Sequence, residues 1–352
     1  AGVIGCGRMG AFTSEKVKKF APNHYFPLSH TEAILAHNRI KMVGLNDVSN
    51  ENLLKAGEHY GIKDLFIDFD DFIKQTNPDL ICLATRTNIR ADLIKKISTY
   101  GINHVHLEKP LCNSVNELRE LEKIFSEDSR YFTWGAIRRH LAVYKQALQI
   151  AESNEYGKLL EIRVNFGAGK LLWTHPHSID LILWAAGERK LEFVQAKLEE
   201  LKNPEKTSKI ENDPTILSST FYFSDNLIAN ISRGNGMDLV LSCEDADIVV
   251  LADGHELLLY SKENGGYSSY KKIEINKSNL NGTLAALDHL VKCFDKDQMH
   301  IALNKKLKKD ILKSTEITFA MIQSHLLGSK PISLNDVDED ICILGKSGNF
   351  YA

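Results

Sequence analysis

The chain is 352 residues long, enough for two domains with sizeable cores. Its 43% hydrophobic and 25% charged residues and net charge of −3 leave no basic footprint for nucleic acid or for an anionic membrane surface, and no apolar run approaches the roughly 18 residues needed to cross a bilayer. Six scattered cysteines, none in a CxxC, and an N-terminus without the basic and apolar regions of a signal peptide fit a reduced, cytoplasmic protein better than a disulfide-stapled secreted one; a few residues are expected ahead of Ala1.

Residues 1–10 run from a short apolar strand into Gly5-Cys6-Gly7-Arg8-Met9-Gly10, a full GxGxxG. In such a loop the first glycine makes the tight turn, the second admits a pyrophosphate close to the backbone, and the third lets the next helix pack on the sheet. Residues 12–20 are expected to form that helix, whose free N–H groups and dipole face the phosphates. Strand-like runs at 40–45, 80–84 and 104–107 alternate with helical stretches at 52–60, 70–76 and 91–100. A further amphipathic helix is expected over 113–127, with Val115, Leu118, Leu121, Ile124 and Phe125 on one side. This alternation predicts an α/β protein whose first 130 residues form a Rossmann domain with a doubly wound parallel sheet.

Beyond residue 130 the pattern changes. Strands are expected at 159–166, 191–200, 215–223, 226–233, 237–242, 246–252 and 255–260, with turns such as Asp253-Gly254 and Gly265-Gly266 between them. Helices at about 284–293 and 308–327 close the chain. Residues 131–352 therefore read as an α+β domain with an open, largely antiparallel sheet, expected to bind substrate and mediate assembly.

Asp47 ends the second strand signal. A carboxylate there accepts hydrogen bonds from the adenosine ribose hydroxyls and repels a 2′-phosphate, which favours NAD over NADP; a cap for the following helix is the plainer alternative. The fingerprint places this acid about 20 residues after the glycines, whereas 37 positions separate Gly10 from Asp47. An insertion around residues 21–31, where the first helix would end, accounts for the excess. Glu108-Lys109-Pro110 follows the fourth strand signal. Pro110 favours an extended Lys109, whose ammonium can stabilise a developing alkoxide at the ligand-binding edge of the sheet; a solvated turn is the alternative.

Trp173-Thr-His175-Pro-His177-Ser-Ile-Asp180 opens a helix with Pro176 in its first turn and Gly187 past its end. His177 and Asp180, three apart, share one face. An imidazole at a helix N-terminus stays neutral and ready to take a proton, as alcohol oxidation requires. His104, His106 and Glu108 alternate on one strand face, and His175 and His177 repeat the spacing, a pattern from which zinc could draw three ligands. Since Glu108 belongs to the Glu-Lys-Pro run, no metal is expected.

Together, GxGxxG, Glu-Lys-Pro after a strand and His-x-x-Asp in the second half resemble the Gfo/Idh/MocA family, named for glucose–fructose oxidoreductase and inositol dehydrogenase. Ala84-Thr85, Gly135 to Arg139, Gly157 and Asn212-Asp213 sit where that family has similar residues. The resemblance implies an NAD(P)-dependent oxidoreductase that assembles as a homodimer or homotetramer. Lys109 would lie beside the nicotinamide and His177 would be the active-site histidine, assisted by Asp180 or His175. Gly5, Gly7, Arg8, Met9, Gly10, Asp47, Thr85, Arg86, Glu108 and Lys109 would form the cofactor site.

Three departures stand out. Thr85-Arg86-Thr87-Asn88-Ile89-Arg90 replaces the family's Thr-Pro-x-x-x-His, Trp173 stands where several members carry an Asp, and the insertion precedes Asp47. Arg86, Arg90, Arg138, Arg139 and Lys170 fall near substrate-facing loops, and arginine pairs bidentately with carboxylate or phosphate. Arg138, Arg139, Lys170, Trp173 and His177 are therefore candidate substrate contacts, for a sugar, sugar acid, nucleotide sugar or cyclitol of anionic leaning. The expected activity is hydride transfer between nicotinamide and a secondary hydroxyl or keto group. The alternatives are an NAD-binding sensor without turnover, or a tightly held NAD serving redox-neutral epimerisation or glycoside cleavage.

Overall fold

The computed structural model describes residues 1–199, 201, 209–262 and 268–344. Glu200, at the end of the strand expected over 191–200, and the Gly265-Gly266 turn lie outside the described residues.

The N-terminal sheet has six parallel strands: β1 (Gly2–Ile4), β2 (Gly44–Asn46), β3 (Leu65–Phe66), β4 (Leu80–Leu83), β5 (His104–Leu107) and β6 (Tyr131–Trp134), in the order β3-β2-β1-β4-β5-β6. Every residue of β1, β2 and β4 is buried, as parallel strands covered by helices on both faces must be. The helices are α1 (Glu15–Phe20), α2 (His30–Ala36), α3 (Asn50–Tyr60), α4 (Phe69–Thr76), α5 (Arg90–Thr99) and α6 (Val115–Ser126). Most start on a side-chain cap: Ser49, Asp68 and Ser114 each accept from the backbone N–H three residues on. Two strands were not foreseen. β3 is too short to carry a pattern. β6 pairs with β5 and carries the first sheet past residue 130, to Trp134.

The helix after the glycine loop departs from expectation. Ala11 N–H bonds to Gly7 O, which starts a helical turn, but the chain then leaves. His30 N–H bonds to Met9 O and Thr31 N–H to Gly10 O, where a continuous helix would use residues 13 and 14. The helix is thus spliced around 17 extra residues. Removing them from the 37 positions between Gly10 and Asp47 leaves 20, the spacing of the fingerprint. The insertion sits after the first turn, not at the helix end, and the helix packed on the sheet is α2. The segment expected as that helix is α1, which buries none of its residues. Ser29 and Glu32 form a capping box at the start of α2; the Ser-x-x-Glu spacing was the available signal.

The second domain adds α7 (Ala142–Glu152), β7 (Leu159–Asn165), α8 (Pro176–Ala186), β8 (Leu191–Glu199), β9 (Lys209–Ile210), β10 (Thr215–Phe223), β11 (Ile228–Ile231), β12 (Asp238–Cys243), β13 (Ala246–Leu251), β14 (Glu256–Lys262), β15 (Ser268–Ile273), α9 (Gly282–Phe294), α10 (Gln298–Leu326) and β16 (Cys342–Ile343). Eight strands form one sheet in the order β15-β14-β13-β12-β7-β11-β10-β8, antiparallel except for the β11–β7 pair; β9 and β16 form a small parallel pair. Along β7, Ile162 and Val164 are buried while Glu161, Arg163 and Asn165 point outward, the alternation of a sheet covered on one face. The 29-residue α10 packs against α6 and β6 of the first domain and against α8 and β8 of the second. Buried Asn304 bonds to both Phe132 N–H and Phe132 O, fixing β6 at the seam. The six cysteines are free thiols. No helix among the described residues is long and apolar enough to cross a membrane.

Candidate active site

The glycine loop fits a dinucleotide phosphate. Gly5 has φ 94°, and a Cβ at Gly10 would lie 1.7 Å from Gly5 O. At Gly7 nothing lies within 4 Å of where a Cβ would stand, so the loop is open on the side where a pyrophosphate approaches. Asp47 Oδ2 accepts from Cys6 N–H at 2.6 Å and Oδ1 from Ser49 N–H at 2.7 Å. The carboxylate is thus held against the glycine turn while it orders the entry to α3. Thr85, at the end of β4, leaves its Oγ1 buried and unpartnered, a polar atom fit for a ligand. Arg86 is exposed. Arg90 is buried and its guanidinium donates to Pro110 O and Thr85 O. It clamps the Glu-Lys-Pro loop to the end of β4 and does not face a substrate.

Lys109 Nζ donates to Trp173 O at 2.6 Å and sits 3.8 Å from the centre of its indole ring. Arg8, from the glycine loop, covers the same ring at 4.7 Å. Burial lowers Lys109 to about 8, opposed by the Glu108 carboxylate and assisted by Arg8. Asp213 closes this corner: its carboxylate accepts from Leu172 N–H at 2.8 Å and Trp173 N–H at 3.1 Å, and burial raises it to about 6. Asp213 entered the sequence reading only through the resemblance.

Behind Lys109, His30 Nε2 lies 3.1 Å from Glu108 Oε1, both side chains buried. Burial pushes Glu108 up, but the His30 bond and the Lys109 charge outweigh it and hold it at about 2. His106 stacks edge-on against His30 and pairs with Thr133 Oγ1 at 2.9 Å. His30, His106 and Glu108 have donor atoms within 4.8 Å of one another, as metal ligands would. Glu108 already faces Lys109 and Arg90, whose charges oppose a further dication there. His104, weighed from the sequence, is not in this group; its ring stacks on Tyr131.

His177 lines the same cleft as Arg8, Met9, Glu108, Lys109 and Trp173. Its Nδ1 is buried without a partner, and burial with the nearby Arg138 and Lys109 charges holds the ring well below its ordinary value, so it is neutral. The partnership expected between His177 and Asp180 is absent. Asp180 points into the interior, where it accepts from Arg139 at 2.7 and 2.8 Å and from Trp134 Nε1 at 3.0 Å. Three positions on a helix do put both residues on one side, but Asp180 is drawn to the α8–α10 contact by Arg139, which also meets Asp310. His175 is likewise buried; its Nδ1 lies 3.1 Å from Ser178 Oγ, and burial lowers it to about 4.

The expected anion contacts do not form a free cationic patch. Arg139 belongs to the Asp180–Asp310 network. Arg138 lines the cleft, but Asp253 takes its fork at 2.7 and 2.8 Å. Lys170 Nζ donates to Thr215 Oγ1 at 3.0 Å. Asp253, which also accepts from Tyr25 Oη at 2.8 Å and Tyr144 Oη at 2.9 Å, was read only as part of a turn.

A glycine loop that fits a dinucleotide, a carboxylate held against it, and a lysine and a histidine in one cleft define a Rossmann dinucleotide-binding domain joined to a second, α+β domain. Residues 1–136 match the family model GFO_IDH_MocA, described as "Oxidoreductase family, NAD-binding Rossmann fold". This match assigns the N-terminal domain, residues 1–136, to the Gfo/Idh/MocA oxidoreductases. It is 26% identical over 164 residues to the myo-inositol 2-dehydrogenase of Thermotoga maritima, a match covering 46% of this chain and 43% of that protein. The chain thus spans under half of that relative's length. The fold resembles an inositol dehydrogenase homolog from Azotobacter vinelandii complexed with NADH and myo-inositol (TM-score 0.72, 12% identity, 94% of this chain and 96% of that one). It also resembles the WlbA dehydrogenase from Bordetella pertussis in complex with NADH and UDP-GlcNAcA (TM-score 0.67, 18% identity, 94% and 97%). At these identities the likeness is one of fold.

Proposed function

We propose that the protein is an NAD-dependent dehydrogenase or reductase acting on a secondary hydroxyl or keto group of a sugar, sugar acid, nucleotide sugar or cyclitol. One observation carries this reading: Lys109 and His177 line one cleft with Arg8 and Met9 of the glycine loop. When bound, the dinucleotide supplies the hydride acceptor or donor. Gly5, Gly7 and Gly10 would hold its pyrophosphate, Asp47 its ribose, and Thr85 and Glu108 its nicotinamide end.

The chain's own residues then handle the proton and the charge. Neutral His177 takes the proton of the substrate hydroxyl during oxidation and returns it during reduction. The Arg138 and Lys109 charges disfavour the imidazolium, so the proton is readily passed on. Lys109, anchored by Trp173, donates to the reacting oxygen and stabilises its developing negative charge. Glu108, His30 and Arg90 fix the loop that carries Lys109. Related proteins named as inositol and xylose dehydrogenases support a polyol substrate. The protein acts as a homodimer or homotetramer, which sedimentation checks.

The test is absorbance at 340 nm with NAD⁺ and, separately, NADP⁺ over free sugars, inositols, uronates and nucleotide sugars. A rise with NAD⁺ and one substrate class is expected. NADH binding without turnover on the whole panel would sink the reading.

A further inference from the structure

The 17-residue insertion does more than lengthen the loop: it forms one wall of the cleft. Val17, Phe20, Ala21, Pro22, Tyr25 and Leu28 all line it, within a volume of about 900 Å³. Both ends of the segment are tied down. At its start Thr13 Oγ1 donates to Glu32 at 2.6 Å. At its far end Tyr25 Oη and His24 Nε2 meet Asp253 at 2.8 and 2.9 Å, while Thr283 donates to Pro27 O and Leu28 O at 2.9 and 2.6 Å. The insertion therefore bridges from the glycine loop to the second domain, with α1 as the span between.

Beside Lys16, the wall it presents is mainly apolar. Phe20 is 69% exposed and packs in no core, although its position faces the cleft. The hydroxyls nearest to it are already engaged, Thr13 with Glu32 and Ser14 as acceptor for Val17 N–H. Across the cleft stand Ile137, Phe166 and Met237. Among the cations that line the cleft, which include Arg8, Lys16 and Lys109, Arg138 is paired with Asp253 and lies between the Tyr25 and Phe166 rings at 5.2 and 4.5 Å. A bare polyol placed against Val17 and Phe20 would lose hydrogen bonds to water that these two side chains cannot replace. A neutral apolar substituent would cover Phe20 and Val17 and gain from leaving water.

We infer that Val17 and Phe20 are specificity-determining residues and that the substrate is a sugar carrying a neutral apolar group, of the alkyl or aryl glycoside class. The inference rests on the proposed oxidoreductase reading only for the identity of the reacting end. The experiment measures binding and turnover separately, on intact protein with NADH or NAD⁺ present. Quenching of tryptophan fluorescence, with Trp173 in the cleft, gives affinities for hexoses and pentoses, their phenyl and octyl glycosides, and a nucleoside diphosphate sugar; absorbance at 340 nm gives turnover. The glycosides are expected to bind at least about tenfold more tightly than the parent sugars, and Val17→Ser/Phe20→Ser is expected to erase most of that preference. Both side chains are outside the core, so the variant folds, which its circular dichroism checks. Equal affinity for glycoside and free sugar, an unchanged preference in the variant, or tightest binding by the nucleotide sugar each overturns the inference. Preferential glycoside binding without any NADH formation would leave it standing and overturn the oxidoreductase reading instead.

Discussion

The Lys109 ammonium is held by a single residue in two ways: it donates to the carbonyl of Trp173 at 2.6 Å and lies 3.8 Å above that residue's ring. Trp173 belongs to the turn before α8, so the lysine of the first domain is positioned by the second. This joins the Lys109 ammonium to the turn that leads into the helix carrying His177.

Removing either member of the pair should show in turnover more than in binding. Lys109→Ala and His177→Ala are each expected to lower kcat at least about 10²-fold. NADH affinity, measured by fluorescence titration, should stay nearly unchanged, because Gly5, Gly7 and Gly10 carry the proposed phosphate contacts. Trp173→Leu removes the ring but keeps the carbonyl; a loss of about tenfold in kcat is expected. Wild-type turnover in His177→Ala would remove it from the mechanism.

Asp213 sets a pH dependence. Burial raises it to about 6, so between about pH 4 and 6 the folded protein holds a proton that the unfolded chain has shed. Stability from this group therefore falls as pH rises through that window. Activity runs the other way: below about pH 6 the Lys109 corner loses its neighbouring negative charge. An acid limb of kcat/KM near pH 6 is expected, and Asp213→Asn should abolish it. An unchanged limb in that variant would assign it elsewhere.

Asp180 is a structural partner, and its variants should behave accordingly. Asp180→Asn leaves Arg139 buried with Asp310 alone, and a loss of about 3 kcal/mol is expected in chemical denaturation. The folded fraction should keep the wild-type pH profile. A shifted profile with intact stability would restore Asp180 to the catalytic machinery.

Asp47 should govern cofactor choice. Asp47→Asn is expected to weaken NADH binding about tenfold and to narrow the preference over NADPH, since the ribose acceptor and the repulsion of a 2′-phosphate are lost together. Tighter NADPH than NADH binding by the unmodified protein would overturn the reading of this residue.

Much of the fold was written locally. Apolar runs of period two or none, amphipathic helices and a first-turn proline such as Pro176 depend on neighbours a few residues away, and they located β1, β4, β5, α3 to α6 and α8 within a few positions. The shortest strand, β3, and the spliced helix escaped because each depends on a partner distant in sequence: Leu65 on Leu45, and His30 on Met9 across the insertion. Arg138 and Arg139 looked like anion contacts for the same reason, since nothing near them in the chain announces Asp253 or Asp310.

By itself the sequence determined the glycine turn, the acid after β2, the lysine after β5 and the histidine at a helix start, because each needs a residue type at a short, fixed spacing. Only the tertiary structure decided which charges remain available. A buried arginine must be paired, and it took the carboxylate that folding brought to it: Arg139 holds Asp180 in the interior, and Asp253 occupies the Arg138 fork. The same folding laid the insertion across the cleft, where contacts with Asp253 and Thr283, more than two hundred residues away, turned a spacing anomaly into a wall of the site.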